Sequence, residues 1–71
     1  MDYRIKPRHT GDSLIAQARL KAGLTQAELA ERIGVGQKMI TAWETGYRKP
    51  KLDTIRKIAT ALGIDWLTLI E

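Results

Sequence analysis

Two short amphipathic segments joined by almost no chain constrain this protein more than any other feature. One begins after Thr25 and places Leu29, Ala30 and Ile33 on a single side; the next, Gln37 to Glu44, places Ile40 and Trp43 on its apolar side. Between them lies only "IGVG", residues 33–36. Helices joined so tightly must cross steeply, because the connection has room for nothing but a turn. Gly34 gives that turn a residue free to take positive φ. Ala30 has to be small where the later helix crosses it.

The remaining chain also carries helical spacing, with Gly23, Gly34, Gly46 and Gly63 each following a stretch that reads as helix. A first helix is expected from about Asp12 to Ala22, with Ile15, Ala18 and Ala22 on one face and Arg19 beside them. Thr25 caps the second, and Glu28 three residues on completes a capping box. Gly36 is expected to cap the third. After the loop "TGYRKPK", Leu52, Ile55, Ile58, Ala59 and Leu62 mark a fourth helix. A short fifth, capped by Asp65, has "WLTLI" as its body. Nothing reads as a strand with conviction, and Tyr3, Arg4 and Ile5 are too few to decide. The fold class expected is all-α with five helices, divided into a basic arm, residues 1–10, and a domain over residues 11–71.

At 71 residues the chain is one domain at most, and folding buries only about 60% of the surface such a chain exposes when unfolded. The core must be small. It contains no Cys, so neither a disulfide nor a thiolate metal site holds it, and a reducing cytoplasm is the compartment expected. The one His, His9, lies among basic residues with no obvious partner ligand, and no metal is expected. No apolar run approaches the ~18 residues of a membrane span, and "MDYRIKPRHT" lacks the apolar core of a secretion signal. No Ser, His and acid stand in a convincing catalytic arrangement, so an enzyme is not expected.

A net charge of +4 says little alone; its distribution says more. Residues 1–10 carry three bases and one acid, and residues 45–51 carry three bases and no acid, whereas residues 11–44 balance. Two short, irregular segments hold the excess, a pattern suited to a polyanion touched at two places.

With Gln37 at zero on a helical wheel, Thr41, Lys38 and Ala42 fall at about 40°, 100° and 140°, opposite Trp43 and Ile40 at about 240° and 300°. Ordinary solvated helices share such a division. What separates this one is its setting: Leu29, Ala30, Gly34, Ile40 and Trp43 together match a helix-turn-helix. "GVGQKM" is neither a Walker loop, lacking the Gly-Lys-Ser/Thr ending, nor a dinucleotide fingerprint, which follows a strand.

The stretch "GLTQAELAERIGVGQKMITAWETG" resembles the DNA-binding unit of the lambdoid phage repressor and Cro family, also called the XRE type, and the resemblance extends from about Ile15 to Leu67. It implies a five-helix, lambda-repressor-like domain whose helices 2 and 3 form the helix-turn-helix, with the third in the major groove of operator DNA. It also implies a dimer on double-stranded DNA, with no cofactor. By resemblance Gln26 contacts a phosphate and buttresses Gln37. A glutamine amide offers a donor and an acceptor side by side, matching adenine N6 and N7, while Lys38 suits guanine and Thr41 a base edge or a thymine methyl. Met39 lies nearer the core side. Ala42 stands where some relatives carry a longer side chain.

Arg48, Lys49 and Lys51 are expected on phosphates, where they orient the reading helix without carrying sequence information; a basic surface loop is the plainer reading. Arg19 and Glu44 are expected to form an internal ion pair, as their counterparts do in the family. The arm can reach DNA with Arg4, Lys6 and Arg8, or pack Tyr3 and Ile5 on the domain. In the tail, Trp66, Leu67, Leu69 and Ile70 cannot all face one small core, so Trp66, Leu69 and Ile70 are candidates for a homodimer interface; packing of all four inside is the alternative. The function expected is a sequence-specific transcriptional regulator, a repressor on a palindromic operator, in the cytoplasm and associated with the nucleoid. An antitoxin of a toxin pair and a helical interaction module without DNA binding stand as alternatives.

Overall fold

A computed structural model describes residues 13–70, and among them the architecture is all-helical: α1 (Leu14–Lys21), α2 (Gln26–Ile33), α3 (Gln37–Thr45), α4 (Leu52–Leu62) and a terminal 3-10 turn, Trp66–Leu69. The expectations for the arm, including Tyr3, Arg4, Ile5, Lys6, Arg8 and His9, and for a boundary near residue 10 lie outside the described residues.

Capping fixes where the helices begin. Ser13 accepts the Ala16 N–H on its hydroxyl at 2.9 Å, so α1 opens at Leu14 rather than near Asp12. Serine is among the strongest N-cap residues, and its oxygen satisfies a donor that the first turn leaves unpaired. The expected capping box is present: Thr25 Oγ1 accepts from Glu28 N–H at 3.0 Å, and Glu28 Oε1 accepts from Thr25 N–H at 2.8 Å. Gly36 is the N-cap of α3, which runs one residue past Glu44.

The core is a single cluster of Ile15, Leu29, Ala30, Ile40, Trp43, Ile58, Ala59 and Leu69. Leu29, Ile40 and Ile58 are fully buried, each worth roughly 1.5–3 kcal/mol relative to exposure. The inward positions expected on α2 and α3 hold, with Ile33 half-buried against the cluster. On α1 Ala18 is half-buried but Ala22 is exposed, because α1 ends at Lys21 and Ala22 is its C-cap. Leu52, at the solvent-facing start of α4, is also exposed.

The expected fifth helix is four residues of 3-10 structure. Asp65 Oδ1 accepts from Leu67 N–H at 3.1 Å, and the Asp65 carbonyl accepts from Thr68 N–H at 3.0 Å, the i to i+3 bond of that geometry. Three residues per turn stack Trp66 over Leu69 on one side. Leu69 enters the core and half-buried Trp66 packs against it, while Leu67 and Ile70 point outward. The expectation of Leu69 at a partner surface is therefore corrected: it is a core residue. No helix among the described residues is long and apolar enough to cross a membrane.

Candidate nucleic-acid interface

Gly34 makes the turn between α2 and α3. Its φ is 77°, and both its N–H and that of Val35 donate to the Ala30 carbonyl, at 2.9 and 3.0 Å. One carbonyl thereby closes α2 and reverses the chain. Ala30, 3% exposed, sits at the crossing where a larger side chain would hold the helices apart.

With Ile40 and Trp43 anchored in the core, the opposite side of α3 is turned outward. Gln37, Lys38 and Thr41 are all exposed, whereas Met39 is half-buried against the core and Ala42 is half-buried. A polar strip of amide, ammonium and hydroxyl thus stands on a helix whose back is immobilised by packing.

Beneath this strip lies an ion pair that helical spacing alone could not show. Arg19 of α1 donates from Nε to Glu44 Oε2 at 2.7 Å and from Nη2 to Glu44 Oε1 at 3.1 Å, and its Nη1 donates to the Leu24 carbonyl at 2.8 Å. Glu44 has no exposed surface. The fork of the guanidinium matches the carboxylate, and this geometry compensates the desolvation of both charges.

Gln26, the first residue of α2, joins the buried pair to the outer strip. Its Nε2 donates to Glu44 Oε1 at 2.9 Å, while its Oε1 accepts from Thr41 Oγ1 at 3.0 Å and from Gln37 Nε2 at 3.4 Å. Sequence reasoning paired Gln26 with Gln37 only. The contacts with Glu44 and Thr41 were missed, since they depend on the angle at which α2 crosses α3.

Beyond α3 the chain turns at Gly46, and Arg48 N–H donates to the Ala42 carbonyl at 3.2 Å, holding the basic segment against the end of the helix. Arg48, Lys49 and Lys51 are exposed there with no acid among residues 45–51. Both α3 and α4 start without a side-chain cap; Met39 N–H donates to the Gly36 carbonyl at 3.0 Å, and Asp53 stands in the first turn of α4. Tyr47, 81% exposed, was also missed. With Lys38, Thr41, Ala42 and Arg48 it borders an open groove of about 490 Å³ along α3. The available signal was an aromatic set between a turn glycine and a basic run.

Glu28, at the far end of the turn motif, has its carboxyl held below its ordinary value near 4.5 by the Thr25 backbone N–H, then by the Thr25 hydroxyl, with Arg32 adding a smaller attraction. Among the described residues no group of His, Cys, Asp and Glu could hold a metal ion.

The profile of the helix-turn-helix family matches residues 15–69. An uncharacterized helix-turn-helix-type transcriptional regulator of Methanothermobacter thermautotrophicus is 49% identical over 51 residues, covering 72% of this chain and 74% of that protein. The cryptic phage CTXphi transcriptional repressor RstR of Vibrio cholerae is 38% identical over 59 residues, covering 83% of this chain and 53% of its own length. The solved structure of SinR of Bacillus subtilis, the master regulator for biofilm formation, in complex with DNA, superposes with a TM-score of 0.77 at 26% identity, covering 89% of this chain and 100% of that one.

Proposed function

Because the chain belongs to the helix-turn-helix family of transcriptional regulators, we propose that it is a sequence-specific DNA-binding repressor that occupies a palindromic operator as a dimer. The observation that carries this reading is the outward strip of Gln37, Lys38 and Thr41 on a helix locked from behind by Ile40, Trp43 and the Arg19–Glu44 pair. A reading element needs a rigid support before it meets the bases, and the packing of Ile40 and Trp43 supports that role for α3. The phage repressor among the relatives and the DNA complex among the similar structures support the same assignment.

In this reading α3 lies in the major groove. Gln37 takes adenine N6 and N7, Lys38 approaches guanine, and Thr41 meets a neighbouring base edge. Arg48, Lys49 and Lys51 bind phosphates beside the groove, with the first-turn amides of α4 and the Tyr47 hydroxyl as further donors. The remaining Gln26 N–H is available to a phosphate at the start of α2. Two copies joined through Leu67, Ile70 and the outer edge of Trp66 place two reading helices about 34 Å apart on successive major grooves. The protein acts in the cytoplasm, on nucleoid DNA, and has no catalytic task.

Random-site selection with wild type and Gln37→Ala, followed by electrophoretic shift, tests the assignment. Wild type enriches an inverted repeat, and Gln37→Ala loses preference mainly at one base pair per half-site. Lys49→Ala weakens every sequence alike and lowers the salt slope by about one. Recovery of no enriched sequence by the wild-type protein overturns the reading.

A further inference from the structure

We propose that Gln26 sets the hydrogen-bond polarity of the reading surface, leaving Thr41 Oγ1 as an acceptor that recognises the amino group of a base. The inference rests on the DNA-binding reading above and names what one of its positions selects.

A guanidinium only donates, and a carboxylate only accepts. Arg19 therefore faces Glu44 with N–H groups, and the oxygen of Glu44 that remains near Gln26 demands a donor. Of the two ends of the Gln26 amide only the NH₂ suits that place; the reverse orientation would set a carbonyl oxygen against a buried carboxylate. With Nε2 committed to Glu44 at 2.9 Å, Gln26 Oε1 must point at α3.

Thr41 then finds an acceptor for its single hydroxyl proton inside the protein. Its hydrogen-bond partners among the described residues are Gln26 Oε1 at 3.0 Å and the Gln37 carbonyl at 3.3 Å, and both are acceptors. Gln26 Oε1 is the nearer and takes the proton, so the hydroxyl presents lone pairs to the outside. A free threonine reads either sign of hydrogen bond, whereas this one selects adenine N6 or cytosine N4 and disfavours thymine O4 and guanine O6. Gln37 keeps its recognition pair, because only one Nε2 hydrogen is directed at Gln26, at 3.4 Å. Gln26 is thus a positioning residue that acts on base choice through Thr41.

The test is site selection with wild type, Gln26→Ala and Thr41→Val, then titration of the selected duplex carrying purine for adenine, or pyrimidin-2-one for cytosine, at the position where Thr41→Val loses its preference. Wild type is expected to favour an amino-bearing base there, and deleting the amino group should weaken it about two- to tenfold, the worth of one hydrogen bond, with no such effect on Thr41→Val. Gln26→Ala removes the nearer acceptor and leaves only the longer contact with the Gln37 carbonyl to hold the proton, so it should admit thymine or guanine at that position. A purely structural Gln26 would instead weaken all sequences equally. A keto-bearing base preferred by wild type, a Thr41→Val variant with unaltered selection, or a Gln26→Ala variant that binds with the amino preference intact overturns the inference while leaving DNA binding standing. Failure of wild type to bind any duplex removes the underlying reading and this one with it. Should Gln26→Ala not fold, the amino-group deletion read by wild type and Thr41→Val decides.

Discussion

Arg19 and Glu44, 25 residues apart in sequence, meet in the interior through two hydrogen bonds of 2.7 and 3.1 Å, with side chains 7% and 0% exposed. The pair ties α1 to the last turn of α3, where the helix dipole by itself disfavours an anion. Removing one partner leaves the other charge buried without compensation, which costs about 3–5 kcal/mol. Glu44→Ala is expected to lose that much in chemical denaturation and to weaken DNA binding as well, since Gln26 loses the acceptor that orients it. Replacing both partners together by apolar residues of similar volume should recover much of the stability but not the base preference. An unchanged thermal melt for Glu44→Ala contradicts the role assigned to the pair.

The turn provides a second prediction, separating backbone strain from crowding. Among the described residues no atom beyond the chain neighbours lies within 4 Å of where a Cβ would stand on Gly34 or Gly36, so neither substitution is crowded there. The backbones differ: Gly34 has φ 77° and Gly36 has φ −79°. Gly34→Ala is expected to cost about 1–2 kcal/mol, the penalty of a left-handed residue with a side chain. Gly36→Ser should be neutral or gain a few tenths of a kcal/mol, roughly the advantage of a serine N-cap over glycine. Equal melting shifts for the two would refute the distinction.

Local chemistry made most of the frame legible before any coordinates. Thr25 with Glu28, Gly36 ahead of Gln37 and the tight "IGVG" connection are signals carried within a few residues, and the structure places each as expected. Errors arose where a boundary depended on competing caps, as at Ser13, or where one apolar stretch had to be divided between core and solvent, as at Leu67 and Leu69. The candidate site was legible as a face of α3 but not as a network. That Gln26 touches Glu44, Gln37 and Thr41 at once depends on a crossing angle between two helices, which spacing along one helix does not contain.

Acid should weaken the capping box in a defined direction. The Glu28 carboxyl in the folded protein lies below its ordinary value near 4.5, so its contribution is fully present above that pH and is lost as pH falls through the lower folded value. In denaturant titrations wild type is expected to exceed Glu28→Gln most at neutral pH, with the gap closing on acidification below pH 4.5. A gap of the same size at neutral pH and at the acid end would show that the charge plays no part.

The tail offers a prediction in which two adjacent classes of leucine behave oppositely. Leu69 is 7% exposed and packs in the core, whereas Leu67 is 58% exposed on the other side of the same 3-10 turn, near Ile70 at 44%. Leu69→Ala should cost about 2–5 kcal/mol of stability by opening a cavity among α1, α4 and the turn. Leu67 is not part of the core cluster, and Leu67→Lys should leave the melt within about 0.5 kcal/mol of wild type. If the outward apolar residues join two copies, that same charge, brought near its symmetry mate, shifts sedimentation toward monomer and reduces affinity for the paired site more than for a single half-site. A Leu67→Lys protein that remains as self-associated as wild type would place the dimer contact elsewhere on the surface.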